Sequence, residues 1–389
     1  MSNKIYFDHN ATTPVIDEVF EAMAPYLRES WGNPSSIHWA GRAPKKAVEE
    51  AREQVARLFN CTPPEVIFTS SGTESDNHAI KGLAYAKKDK GNHIITTKVE
   101  HPAIMNTCKH LAKEGFEVTY LDVDGLGMID LQALKAAVTP KTILITVMSA
   151  NNETGVIFPV EEIGNIAKEK GVTFHTDAVQ AAGKLPIDLQ RINIDLMSIS
   201  AHKLYGPKGV GALIAKRGVR LIPLIHGGHH ERNRRGGTEN VAGIAGLGKA
   251  CEAAARDMEK ETAHLMSLRK RLEDGLMERI PHITLNGHPD RRLPNTANIS
   301  FEFVEGESLL LNLDMKGIAA SSGSACTSGS LEPSHVLLAM GRTHELSHGS
   351  VRFSLGRGNT MEDINYLIEV MPPIVERMRS MSPLYAGVK

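Results

Sequence analysis

Between residues 65 and 217, short β-rich runs alternate with helical patterns, an order that few architectures accommodate. The runs fall at 65–69, 93–97, 117–122, 142–149, 173–177, 195–200 and 209–216. Parallel neighbours need a long crossover, usually a helix, so such alternation builds a mostly parallel sheet with helices on both faces. An α/β fold with a mostly parallel seven-stranded sheet is therefore expected. Ligands on such sheets lie beyond the carboxyl ends of the strands, so chemistry is sought in the residues that follow each run.

The order changes after a Gly/Arg/His-rich stretch at 227–237. A charged helical pattern over 241–279 reads as a connecting helix. It is followed by strand 296–303, helix 308–315, a Ser/Gly loop at 321–330, strand 351–354 and a final helix at 361–378. This succession predicts a smaller α+β unit.

Composition sets limits on function. A chain of 389 residues, 41% hydrophobic, is long enough for about two packed domains. Lys and Arg number 44 against 45 Asp and Glu, so no long-range field attracts nucleic acid or an anionic membrane. The N-terminus lacks a basic region followed by an apolar run, and no long apolar segment occurs, which predicts a cytoplasmic protein without a membrane span. Cys61, Cys108, Cys251 and Cys326 are scattered without Cys-x-x-Cys spacing. That argues against a disulfide framework or a structural zinc site.

Chemistry gathers at three strand ends. In Ser198-Ile-Ser-Ala-His-Lys203-Leu-Tyr-Gly-Pro, a lysine closes a run and precedes a Gly/Pro loop. A lysine crowded there has its pKa lowered toward the neutral amine that a Schiff base requires. In His175-Thr-Asp177-Ala-Val-Gln180, Asp177 can hold a pyridine nitrogen protonated, and Gln180 is spaced to donate to a ring oxygen. Thr69-Ser-Ser-Gly72-Thr73-Glu74-Ser75 is a strand, a small-residue turn and a helix start, which offers amides and the Thr73 hydroxyl to a phosphate. Ser200 and His202 flank Lys203 and can complete that shell. Each feature alone has an ordinary structural explanation, a solvated cation, a helix cap or a capping box. Together they are what pyridoxal 5'-phosphate (PLP) needs.

These segments resemble the aspartate-aminotransferase-like fold (fold type I) and its class V family of PLP enzymes. Six further segments sharpen the likeness to the NifS-type cysteine desulfurases: Asp8-His-Asn-Ala-Thr-Thr13, Gly32-Asn-Pro-Ser-Ser36, Val99-Glu-His101-Pro102, Ala150-Asn-Asn152-Glu-Thr-Gly155, Arg235-Gly-Gly-Thr238-Glu-Asn240 and Ser321-Ser-Gly-Ser-Ala-Cys326-Thr-Ser-Gly-Ser-Leu-Glu-Pro333. The resemblance implies a large PLP-binding domain at 15–262, and a small domain from 1–14 and 263–389 carrying a cysteine loop near 321–333. It makes Lys203 the Schiff-base lysine, Asp177 the pyridinium partner and His101 a proton-moving group over the ring. Gly72, Thr73, Asn152, Gln180, Ser200 and His202 would complete the cofactor site. Asn152 and Arg352 would hold the substrate carboxylate. Thr238 would reach the cofactor phosphate of a second subunit, which implies a homodimer.

Cys326 stands among Ser, Gly, Ala and Thr with almost nothing apolar to bury it, and accessibility is what a sulfur carrier requires. The resemblance makes it the nucleophile that takes sulfur from L-cysteine as a persulfide, releasing L-alanine. An iron-sulfur scaffold protein is the implied acceptor. No intrinsic metal site is expected: His229-His230-Glu231 lacks a ligand spacing, and Cys326 would meet an iron-sulfur centre only transiently, through its persulfide. Gly329 and the short C-terminal end incline the expectation toward the nitrogen-fixation branch. Competing activities on the same fold are a selenocysteine lyase and a class V aminotransferase. A non-catalytic assembly scaffold is the competitor from another class.

Overall fold

The computed structural model describes residues 4–323, 332–383 and 385. Its central sheet has seven strands in the order Val66–Thr69, Gly211–Ala215, Leu196–Ser200, Thr173–Asp177, Thr142–Thr146, His93–Thr97, Glu117–Leu121. Gly211–Ala215 runs antiparallel to both of its neighbours, and the remaining pairs are parallel. Six strands therefore end at one edge, with Thr69, Thr97, Leu121, Thr146, Asp177 and Ser200 as their last residues.

Alternate side chains of these strands enter two cores because successive Cβ atoms point to opposite faces. Ile95, Ile145, Phe174 and Met197 pack against the helices Trp39–Leu58 and Val241–Arg279 through Val48, Val55 and Leu247. Ile94, Leu144, Leu196 and Leu213 meet Ile80, Leu83, Ile104 and Leu111 of the helices Gly72–Ala86 and Pro102–Lys113. Burial on both faces marks six of these strands, whereas the edge strand Glu117–Leu121 keeps Glu117 exposed.

The helix Val241–Arg279 links the two halves of the molecule. Its first turns, with Ile244, Leu247 and Ala250, belong to the large-sheet core. Leu265, Leu268, Leu272 and Leu276 belong to a separate core with Ile5, Phe7, Ile299, Phe353 and Leu367. That core backs an antiparallel sheet ordered Ser321–Ser322, Ser350–Ser354, Thr296–Phe301, Ile283–Asn286. The expected Ser/Gly loop thus starts later than the sequence suggested, because Ser321 and Ser322 pair with Arg352 and Val351. Ile5–Tyr6 pairs with Ile318–Ala319, and Asp8 bridges to Ser354. This pairing carries residues 8–11 to the carboxyl edge of the large sheet.

Candidate active site

The strand ends surround a cavity of about 250 Å³. Its lining includes Gly72, Thr73, His101, Asn152, Asp177, Gln180, Ser200, His202, Lys203 and Arg352. These are the sequence-selected residues with two exceptions: Thr238 lies elsewhere, and Cys326 lies outside the described residues.

Each side chain arrives by a local cause. Lys203 ends a short turn, Ala201–Lys203, directly after Leu196–Ser200. Its Nζ donates to the carbonyls of Asn10 at 2.5 Å and Ala11 at 2.6 Å. Asp177 closes its strand and accepts from the Val179 amide at 2.9 Å. Burial pushes its carboxyl upward, against the opposing pull of that N–H and of Lys203. Deep burial, reinforced by the charge of Asp177, also raises Asp76, which lines the same cavity. Asp76 was not anticipated. Its signal was present, however: it stands four residues after Gly72, on the same face of one helix.

The phosphate-type turn is tightly built. Ser71 caps the helix Gly72–Ala86, accepting from the Glu74 amide at 3.1 Å. A Cβ at Gly72 would stand 2.7 Å from Val179 Cγ2, so only glycine lets the turn approach the loop after Asp177. Arg235 grips Glu74 at 2.9 Å and ties the turn to the segment that carries Thr238.

His101 caps the helix Pro102–Lys113, its Nδ1 accepting from the Ala103 amide at 3.1 Å. Burial, reinforced by the charge of Lys203, lowers its pKa to about 4. A neutral imidazole that accepts at Nδ1 carries its proton on Nε2. His202 is likewise lowered to about 4, chiefly by burial, and its Nδ1 lies 3.2 Å from Thr12 Oγ1.

Arg352 enters from the small sheet and is 1% exposed. Its Nη1 donates to the Asn152 carbonyl at 2.8 Å and its Nη2 to Asp8 Oδ1 at 2.7 Å. Gln180 donates from Nε2 to the Asn10 carbonyl at 3.0 Å, while its Oε1 is buried with no partner among the described residues. The backbone of residues 10–11 thus serves Lys203 and Gln180 together, a role with no side-chain signature.

The other cysteines behave as structural residues. Burial pushes the thiols of Cys61, Cys108 and Cys251 up to about 12. Glu231 is also structural: it is buried, paired with Arg52 at 2.8 Å, and accepts from the Phe68 amide.

The family description "Aminotransferase class-V" matches residues 5–367. The cysteine desulfurase IscS of Methanosarcina thermophila is 56% identical over 380 residues, covering 98% of this chain and 94% of that protein. The cysteine desulfurase IscS of Clostridium botulinum is also 56% identical, covering 99% and 98%. The chain belongs to the class V aminotransferase family, in its cysteine desulfurase branch. A solved structure titled "NIFS-LIKE PROTEIN" superposes with a TM-score of 0.91 at 39% identity, covering 96% of this chain and all of that one. An apo cysteine desulfurase from Thermococcus onnurineus NA1 gives 0.86 at 26% identity, over 96% and 95% of the two chains.

Members of this branch are PLP-dependent, and the cavity fits that cofactor. A buried carboxyl, Asp177, suits a protonated ring nitrogen. Gln180 lines the cavity beside that carboxyl, and the close turn at Gly72 brings backbone and Thr73 to its wall, as a phosphate would require.

Proposed function

We propose that this protein takes sulfur from L-cysteine, leaves L-alanine and a persulfide on Cys326, and passes that sulfur to an iron-sulfur scaffold protein. One observation carries the assignment of the site: Lys203, Asp177, His101 and Arg352, from four separate segments, converge on one cavity.

In this reading Lys203 would hold the cofactor, and its amine would remove the Cα proton of the bound substrate. The carbonyls of Asn10 and Ala11 accept from the Lys203 amine at the cavity wall. Asp177 would keep the ring nitrogen protonated, Gln180 would donate to the ring oxygen by giving up its bond to the Asn10 carbonyl, and Gly72, Thr73, Ser200 and His202 would hold the phosphate. The cofactor, when bound, supplies an electron sink for the carbanion at Cα. His101, neutral with a proton on Nε2, would move protons in the cavity that it lines. Asn152 and Arg352 hold the substrate carboxylate. The Cys326 thiolate attacks the substrate sulfur, the Cβ–S bond breaks as the S–S bond forms, and the carbon keeps the electron pair and is protonated to alanine.

We further assign a large domain to 15–262, a small one to 1–14 and 263–389, and a cytoplasmic location. Among the described residues no helix is long and apolar enough to cross a membrane. A homodimer is supported by two features. Phe20, Leu27, Trp31, Ile37 and Trp39, all between residues 20 and 39, are exposed large apolar side chains of the kind a subunit interface covers. Thr238 also lies apart from the cavity of its own chain, as a residue serving a partner's phosphate would.

Incubating the holoprotein with L-cysteine, then weighing the Cys326 peptide, tests the assignment. One added sulfur together with released alanine is expected. Alanine without sulfur on that peptide would overturn the persulfide route. Comparison of L-cysteine with L-selenocysteine separates a selenocysteine lyase.

A further inference from the structure

Arg352 is the cation that the proposed function gives to the substrate carboxylate, yet the chain already supplies it with a carboxylate of its own. Asp8 Oδ1 accepts from Nη2 at 2.7 Å, and the Asn152 carbonyl accepts from Nη1 at 2.8 Å. Nε is buried and has no partner among the described residues. A guanidinium offers five N–H groups in a planar fork, and Nε shares one edge of that fork with Nη2. That edge is half made: Asp8 takes one prong and leaves the other unpaired.

The two partners differ in how firmly they are held. The carbonyl of Asn152 belongs to buried backbone and also accepts from Asn10 Nδ2. The Asp8 side chain retains 21% exposure, and no second bond to it is present among the described residues. Asp8 is positioned by its backbone, through the bridge to Ser354 and the Tyr6 hydroxyl on its carbonyl. Its carboxylate can therefore leave Nη2 without disturbing the strand. Glu153, a second acid near Arg352, is buried and bonded to Ser334 instead.

We propose that Asp8 is a resident competitor for Arg352, a specificity-determining residue that the substrate carboxylate displaces to gain the Nε–Nη2 edge. The inference rests on the assignment of Arg352 to the substrate carboxylate. A buried donor without an acceptor favours the exchange, and the charge of Asp8 opposes it. A small anion with no other contacts, such as acetate, gains too little to displace Asp8. An amino acid that also uses its amine and side chain gains enough.

Steady-state alanine formation by the holoenzyme, with acetate as competing anion, tests this. Asp8→Asn keeps the shape and removes the charge, so acetate inhibition should tighten by about tenfold and the KM for L-cysteine should fall. Asp8→Glu should retain the parental acetate inhibition. A merely structural role would not strengthen anion binding. Unchanged or weakened acetate inhibition in Asp8→Asn would overturn the proposal, and Asp8→Ser reads the same effect if the asparagine variant does not fold. Arg352→Gln separates the two claims. If it leaves the KM for cysteine unchanged, the assignment of Arg352 fails. If it raises KM while Asp8→Asn does not tighten acetate, only the role of Asp8 fails.

Discussion

Ser334 donates its hydroxyl to the carboxyl of Glu153, and both residues are buried. The contact joins the residue after Asn152 to the start of the helix His335–Ala339, for which Ser334 is also the N-cap. Burial pushes the Glu153 carboxyl up to about 7, opposed by Ser334 and by the charge of Arg352. Ser334→Ala leaves a buried carboxyl and a helix amide unpaired, so a stability loss of about 2 kcal/mol is expected in denaturant titrations. Ser334→Thr should recover most of it. An alanine variant as stable as the parent would show that the contact carries no net weight.

The close approach at Gly72 predicts a paired result. Gly72→Ala places a methyl 2.7 Å from Val179 Cγ2, so the turn must move away from the cavity. PLP affinity, followed by the cofactor's absorbance, should fall by about tenfold or more. Val179→Ala in the same chain removes the obstructing methyl and should restore part of the affinity.

Glu100 predicts a pH dependence. Its carboxyl is fully buried and pushed up from about 4.5 to about 8, chiefly by burial, against the hydrogen bonds from Thr97 and Met148. The folded state therefore holds this proton more tightly than the unfolded chain. The contribution is fully present below pH 4.5 and is lost as pH rises through about 8, at about 1.4 kcal/mol per unit of displacement. Glu100→Gln should flatten the fall of the denaturation midpoint across that window. An unaltered slope would assign the dependence to other groups.

The cysteines should divide sharply. Cys326→Ala is expected to retain substrate binding and to lose alanine release, since the sulfur has no acceptor. Cys326→Ser should fail too, because a hydroxyl supplies essentially no anion at neutral pH. Cys61→Ala, Cys108→Ala and Cys251→Ala should turn over at the parental rate, their thiols being held protonated by burial. Parental turnover by Cys326→Ala would refute the persulfide route.

Lys203→Ala should abolish turnover while the chain stays folded. Mixed with an inactive Thr238 variant, it should regain part of the activity in hybrid dimers, because one site then keeps both residues. Mixtures that stay inactive, in protein verified as dimeric, would remove Thr238 from the partner's site.

Lys203, Asp177 and Gly72 were legible because Asp177 closes a strand and the other two lie three residues after one, and a strand end in an alternating α/β chain is a position that spacing reveals. The strand runs were legible too, since burial on both faces leaves an apolar signature. The start of the loop at 321 was misjudged because Ser321 and Ser322 lack β propensity and are strand only through pairing with Arg352 and Val351.

What the sequence determined by itself was the order of elements and the residue types at the strand ends, both of which follow from local patterning. What only the tertiary structure decided was which groups meet. Asp8 reaches Arg352 across 344 residues of chain, and the carbonyls of Asn10 and Ala11 reach Lys203 across 193 and 192. The neutrality of His101, the raised pKa of Asp76 near Asp177 and the burial of Glu153 arise the same way. Desolvation and hydrogen bonding depend on what is packed around a group, and a linear pattern does not encode neighbours brought together by folding.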